Sequence, residues 1–217
     1  MEITAELLKH FTEDEVRQLM SYFGRVPKTH CGWQLEDLYL DRPKKECEEF
    51  RDFLRKRVEG RKVVEIGAST DFATKAETFL GLGAGEYVAV DVLYEMPKFA
   101  DIGHVKNREY HEKIRLEPID GLSYMARQQD ASCIVCSFGV ISPGVLCDVN
   151  DVVKRYTKEL CKEIYRATPE GGISLHVTEY SNWLKEAGFK ALHGVPCSDA
   201  IPLNGTNIPM PMWIFEK

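Results

Sequence analysis

Three acids stand where short apolar runs of the chain give out. Glu65 opens Glu65-Ile66-Gly67-Ala68-Ser69-Thr70-Asp71, Asp91 falls at the end of YVAVDV, and Asp120 precedes Gly121 at the end of IRLEPID. A fourth run ends in Ser137-Phe138-Gly139. Gly67 permits a tight turn and a close backbone approach, while Ser69 and Thr70 can cap a following helix. Asp91 is a carboxylate suited to accept hydrogen bonds from a ribose diol. Each acid also has a plainer reading: Glu65 could pair at a strand end, and Asp120 could simply cap a helix starting at Gly121. The groups able to move a proton are His176, at the end of a later run, Glu179 and Tyr180 just beyond it, and His30 or Trp33 upstream. His176 reads more readily as a packed, tautomer-fixed strand histidine than as a base, and Trp33 and Tyr39 read as residues that dock the leading segment on the core.

The elements that must position these groups follow from periodicity. From Thr4 to Phe23 the apolar residues Leu7, Leu8, Phe11, Val16, Leu19, Met20 and Phe23 recur at helical spacing, with Thr12 and Glu15 as a capping box, which predicts two short helices. A connection containing Pro27 and Gly32 leads into LEDLYLDRPKKECEEFRDFLRKRVEG, a charged amphipathic helix closing near Gly60. Residues 1–60 are thus expected to be a helical extension, and 61–217 a separate core domain. Beyond Gly60, strands are predicted at 62–67, 87–92, 114–120, 131–140 and 171–177, with helices at TDFATKAETFLGLG, GLSYMARQQ, DVNDVVKRYTKELCKEIYRAT and SNWLKEAGF. Alternation of this kind implies an α/β three-layer fold, a parallel sheet with helices on both faces. Two last strands, KALHGV and MPMWIFE, are joined by PCSDAIPLNGTNIP, which has no helical period, so they should pair antiparallel. The total is seven strands with the last reversed. In such a sheet, ligands bind beyond the carboxyl ends of the strands, where the acids stand.

Bulk properties narrow the function classes. The net charge of −6 would repel a phosphate backbone, so nucleic acid is a disfavoured partner. No run approaches the roughly 18 to 20 apolar residues of a membrane span, and the acid-interrupted start does not resemble a signal peptide, so a cytoplasmic protein is expected. The seven cysteines, odd in number, fit reduced thiols. Cys133 and Cys136 have C-x-x-C spacing but lie inside the apolar run ASCIVCSFGV without a second pair, which favours a buried structural role over a metal site.

The strand order, the acid-x-gly turn, the acid ending the second strand and the acid after the third resemble a class I S-adenosylmethionine-dependent methyltransferase, from about Lys44 to Lys217. That resemblance implies S-adenosylmethionine as cofactor. It implies that Glu65, Gly67, Ala68 and Ser69 hold the methionine and ribose, Asp91 the ribose hydroxyls and Val92 the adenine. Asp120 and Gly121 would meet the adenine amino edge, and Ser137 and Phe138 would line the sulfonium and substrate side. The trailing Gly-Phe before a strand and the antiparallel last strand also resemble the family.

The family turn commonly reads acid-x-gly-x-gly-x-gly, whereas here the second and third glycine positions are Ser69 and Asp71. A side chain at Ser69 fits if its backbone stays outside the left-handed region, and the Asp71 carboxylate would repel the anionic end of the cofactor unless turned outward. CSFGVIS is not the Asn/Asp-Pro-Pro-aromatic turn of methyltransferases acting on nucleic-acid bases. Metal-dependent members acting on catechols share the EIGA turn but carry an acid where Ser137 stands, so no metal is expected. The resemblance implies methyl transfer to a small molecule or to a protein or peptide group. The alternatives are a catalytically silent scaffold of the same fold, which Ser69 and Asp71 would favour, and a nicotinamide-dependent oxidoreductase, which the single turn glycine and reversed last strand disfavour. The acceptor and the oligomeric state are not legible.

Overall fold

A computed structural model of the chain describes residues 3–25, 44–70, 72–129, 133–138, 150–178, 181–203 and 206–217. Its elements are α1 (Ala5–Leu8), α2 (Glu13–Arg25), α3 (Lys44–Val58), β1 (Lys62–Ile66), α4 (Phe72–Gly81), β2 (Glu86–Val90), β3 (Ile114–Glu117) and α5 (Gly121–Arg127). They continue with β4 (Cys133–Phe138), α6 (Asp151–Ala167), β5 (Ile173–Val177), α7 (Ser181–Ala187), β6 (Lys190–Leu203) and β7 (Thr206–Glu216). His30, Trp33, Tyr39, Asp71, Gly139, Glu179 and Tyr180 lie outside the described residues, as does the first part of the predicted third helix.

The strands form one seven-stranded sheet in the order β3-β2-β1-β4-β5-β7-β6. Strands β1 to β5 are mutually parallel, and β7 runs antiparallel to both of its neighbours. The order reverses between β1 and β4, so the switch point lies beyond Ile66 and its register partner Ser137. The strands near the middle read as continuous apolar runs because both faces are covered: β5 is buried at every position and β1 at all but its first.

Alternation along β1 sends its side chains to two different layers. Val63 joins Leu54 and Val58 of α3 and Phe72, Ala76 and Phe79 of α4. Val64 and Ile66 face the other way, among Leu122 and Met125 of α5, Leu160 and Ile164 of α6, and Leu7 and Leu19 of α1 and α2. At about 1.5–3 kcal/mol for each large apolar side chain removed from water, these two layers are the main source of stability. The capping box at Thr12 forms as its sequence implies, with Thr12 N–H donating to Glu15 Oε2 at 2.9 Å and Glu15 N–H donating to Thr12 Oγ1 at 3.3 Å.

One connection lacks a crossover helix and another differs from expectation. No α-helix crosses from β2 to β3; the path is four short 3-10 turns, Val92–Glu95, Pro97–Phe99, Ile102–His104 and Arg108–Lys113. Asp91, Asp101 and Asn107 cap the N-termini of three of these turns, their side chains accepting from the Leu93, Gly103 and Glu109 N–H groups. The proline-rich stretch after KALHGV is strand rather than loop, so β6 and β7 form one long hairpin. β5 pairs with β7 only from Met212 to Glu216, which leaves Pro209 and Pro211 in a part of β7 flanked by β6 alone. There a residue without an N–H costs at most one ladder bond. Register shifts at Ala191/His193 and Pro196/Ala200 absorb the remaining mismatch.

Candidate cofactor-binding site

The turn after β1 is held from the neighbouring strand. Gly67 N–H and Ala68 N–H donate to the Val90 carbonyl at 2.8 and 3.3 Å. Gly67 has φ 67° and Ser69 φ 54°, both in the left-handed region. The condition for a side chain at Ser69 to fit, a backbone outside that region, is not met. A serine there costs roughly 1–2 kcal/mol relative to right-handed backbone, and two partners hold it: Asp91 Oδ2 accepts from Ser69 N–H at 2.9 Å, and Tyr94 O–H donates to the Ser69 carbonyl at 2.7 Å. Tyr94 is itself packed edge-on against Phe72, ring centroids 5.8 Å apart. At Ser69 the backbone thus takes the left-handed conformation that a glycine would adopt there.

Asp91 accepts on both oxygens, since Oδ1 takes Leu93 N–H at 2.9 Å. These two backbone donors tie the carboxylate to both the turn after β1 and the 3-10 turn that follows it. The residue is half-buried, as is Val92 beside it at the start of the first 3-10 turn.

Asp120 is 3% exposed and caps α5. Its Oδ1 accepts from Ser123 N–H at 3.0 Å and from Tyr156 O–H at 3.1 Å. Its Oδ2 is buried with no hydrogen-bond partner among the described residues. An orphaned carboxylate oxygen inside a protein is costly, and it has the chemistry of a site awaiting an N–H or O–H donor. Gly121 brings α5 against the end of β1: a Cβ at this position would stand 2.4 Å from Ile66 Cγ2. Gly67, Asp91 and Asp120 are thereby gathered at the carboxyl ends of β1, β2 and β3.

Glu65 and His176 lie behind this rim. Glu65 is completely buried, facing α4, where Lys75 Nζ lies 2.6 Å from Oε1 and Tyr87 O–H donates to Oε2. Burial pushes its carboxyl up while Lys75 and Tyr87 pull it back, and the Tyr87 phenol is driven well above its usual range by burial and by Glu65. The expected ligand-facing Glu65 is, in the fold, a brace that ties α4 to the strand beneath the turn.

His176 is likewise fully buried. Ser174 O–H donates to the Val135 carbonyl at 2.9 Å, so its oxygen can only accept from His176 Nε2–H, at 2.5 Å. The neutral ring then has a bare Nδ1, which accepts from Ser137 O–H at 2.7 Å. Burial lowers the imidazole to about 3. A ring with both nitrogens engaged and so weak a basicity is held as neutral scaffold. Ser137 is buried with it, and the Phe138 backbone pairs with Val177 at the end of β4.

Lys75, Tyr87, Tyr94 and Tyr156 were not singled out from the sequence. Lys75 had a signal: it interrupts the apolar face of α4 between Phe72 and Phe79, where a cation requires a buried carboxylate. Among the described residues no group of three or more His, Cys, Asp or Glu side chains could hold a metal ion.

No protein-family model matches the chain. No curated protein sequence matches it. Solved structures do. A candidate RNA methyltransferase from Pyrococcus horikoshii, 16% identical, superposes with a TM-score of 0.54 over 94% of this chain and 98% of that one. The N-methyltransferase NodS from Bradyrhizobium japonicum, 14% identical, gives 0.52 over 80% and 97%. Its complex with S-adenosylhomocysteine, 13% identical, gives 0.50 over 84% and 95%. The fold is that of the class I S-adenosylmethionine-dependent methyltransferases. Within the methyltransferase fold, the turn at Gly67, Asp91 and Asp120 stand at the ends of the first three strands, beside the switch point. No helix among the described residues is long and apolar enough to cross a membrane.

Proposed function

We propose that the protein transfers a methyl group from S-adenosylmethionine to a small molecule or to a protein or peptide group. The observation that carries this reading is the buried, unpartnered Oδ2 of Asp120 beside the switch-point turn. The adenine amino group is a donor that fits it, while the half-buried Asp91 can take the ribose hydroxyls and Val92 the adenine face. Gly67, Ala68 and Ser69 present backbone to the methionine portion, and Ser137 and Phe138 border the acceptor side. S-adenosylmethionine supplies an electrophilic methyl on a sulfonium that leaves as a neutral thioether.

The remaining work of the protein is alignment, which can supply most of the rate. Glu65, paired to Lys75, keeps the turn in place from behind, and Tyr94 and Asp91 fix Ser69. His176 holds the Ser137 hydroxyl in one direction. Where the acceptor must lose a proton, Glu179 and Tyr180, which follow Thr178 in the sequence, are the candidates. The neighbours' names point to RNA in one case and to N-methylation in another. The net charge of −6 favours acceptors other than polyanions.

Calorimetry with S-adenosylmethionine and S-adenosylhomocysteine is expected to show one-site binding and a rise in melting temperature. Absence of both heat and thermal shift at millimolar ligand would overturn the proposal and leave the silent-scaffold reading.

A further inference from the structure

We infer that Tyr156 is a positioning residue for purine recognition: braced by the N-terminal helices, it fixes the Asp120 carboxylate so that Oδ2 is left to select a 6-amino purine over a 6-oxo purine. The inference rests on the adenosyl-cofactor reading above and extends it to a residue and a layer of the molecule outside the rim itself.

The geometry converges on one oxygen. Asp120 Oδ1 has two donors, Ser123 N–H and Tyr156 O–H, and each is held by the N-terminal segment. Ser123 Oγ lies 2.6 Å from Thr4 Oγ1 in a buried contact between α5 and the cap of α1. The Tyr156 ring is met edge-on by Phe23 of α2, centroids 5.1 Å apart, and at a tilt by Phe11, 6.3 Å away. Salt bridges at the margin, Arg127 to Glu6 at 3.0 Å and Arg155 to Glu15 at 2.6 Å, hold the same helices in place.

Tyr156 has a single hydroxyl proton. Its oxygen already accepts from Leu122 N–H at 3.2 Å, so the proton is free to go to Asp120. Burial and the Asp120 charge drive the phenol well above its usual range, which keeps it a donor. With Oδ1 doubly occupied, the carboxylate has no reason to rotate and pair Oδ2 internally. A fixed, acceptor-only oxygen attracts an exocyclic amino group and repels a carbonyl oxygen at the same ring position. Without the Tyr156 hydroxyl, the carboxylate loses one of its two restraints and with it the direction of Oδ2.

The test is calorimetry on the full chain with S-adenosylhomocysteine and its 6-oxo counterpart, S-inosylhomocysteine. Wild type is expected to prefer the amino form by about tenfold or more, the scale of one hydrogen bond to a charged acceptor. In Tyr156→Phe the preference should shrink severalfold while circular dichroism shows the fold retained. A purely structural role lowers both affinities together and leaves their ratio unchanged, and that result would overturn the inference. Should Tyr156→Phe not fold, Phe23→Leu, which loosens the brace and keeps the hydroxyl, is read by the same ratio and is also expected to reduce it. Equal binding of both ligands by wild type overturns the inference and leaves the cofactor reading standing. Binding of neither overturns the cofactor reading, and the inference with it.

Discussion

Two carboxylates flank the end of β1, and the fold treats them in opposite ways. Glu65, on the α4 side, has a cation on one oxygen and a phenol on the other. Asp120, on the α5 side, has two donors on one oxygen and none on the other. A buried acid whose oxygens are both paired is finished as a structural joint. One left half-paired retains a reason to bind something. Behind the rim, His176 follows the first pattern, with a serine on each ring nitrogen.

The sharpest tests of that contrast begin with the saturated groups. His176 is held neutral down to about 3, against an unfolded value near 6.5. Below pH 6.5 the unfolded chain takes up a proton that the folded chain refuses, so stability is present above 6.5 and is lost as pH falls toward 3. The loss attributable to this residue is on the order of 5 kcal/mol. Urea unfolding across that range should show it, and His176→Gln should remove that part of the pH dependence. Lys75→Met leaves Glu65 buried without its cation, and the expected cost is about 3–5 kcal/mol. The double variant with Glu65→Gln should recover part of that loss; no recovery would mean that Lys75 matters for packing rather than charge.

On the open side, Asp120→Asn should leave unfolding free energy nearly unchanged or raised while weakening S-adenosylhomocysteine binding by about 1.5–3 kcal/mol, the worth of a hydrogen bond to a charged group. A large loss of stability without loss of binding would place Asp120 with the saturated class. Gly121→Ala forces a methyl onto Ile66 and is expected to cost about 1–3 kcal/mol in thermal or urea unfolding. Ser69→Gly relieves the left-handed serine and should stabilise by at most about 1 kcal/mol, partly offset by the freer unfolded chain.

Much of the frame was legible because its signals are local. Apolar runs bounded by acids and glycines placed β1, β2 and β5 to within two residues, and the absence of a helical period before MPMWIFE implied the reversed last strand. What escaped depended on partners distant in sequence. Nothing around Ser69 shows that Asp91 and Tyr94, more than 20 residues on, hold it in a glycine's conformation. Ser174 stands two residues before His176, but nothing around them shows that Ser137, 39 residues earlier on β4, takes up the other ring nitrogen. The long β6–β7 hairpin was hidden by its prolines, which read as loop until their position beyond the end of β5 shows how little pairing they forgo. Lys75 was the one partner that could have been found, as a charge set among the apolar positions of its helix.

The position of β7 has a consequence for the order of synthesis. It is the last strand of the sheet to leave the ribosome, yet it lies between β5 and β6 and is the strand through which both connect. Until residues 206–216 emerge, β5 has an open edge and β6 has no place in the sheet. The nascent chain can assemble β1 to β5 in register, but the sheet closes only after translation has passed its final strand.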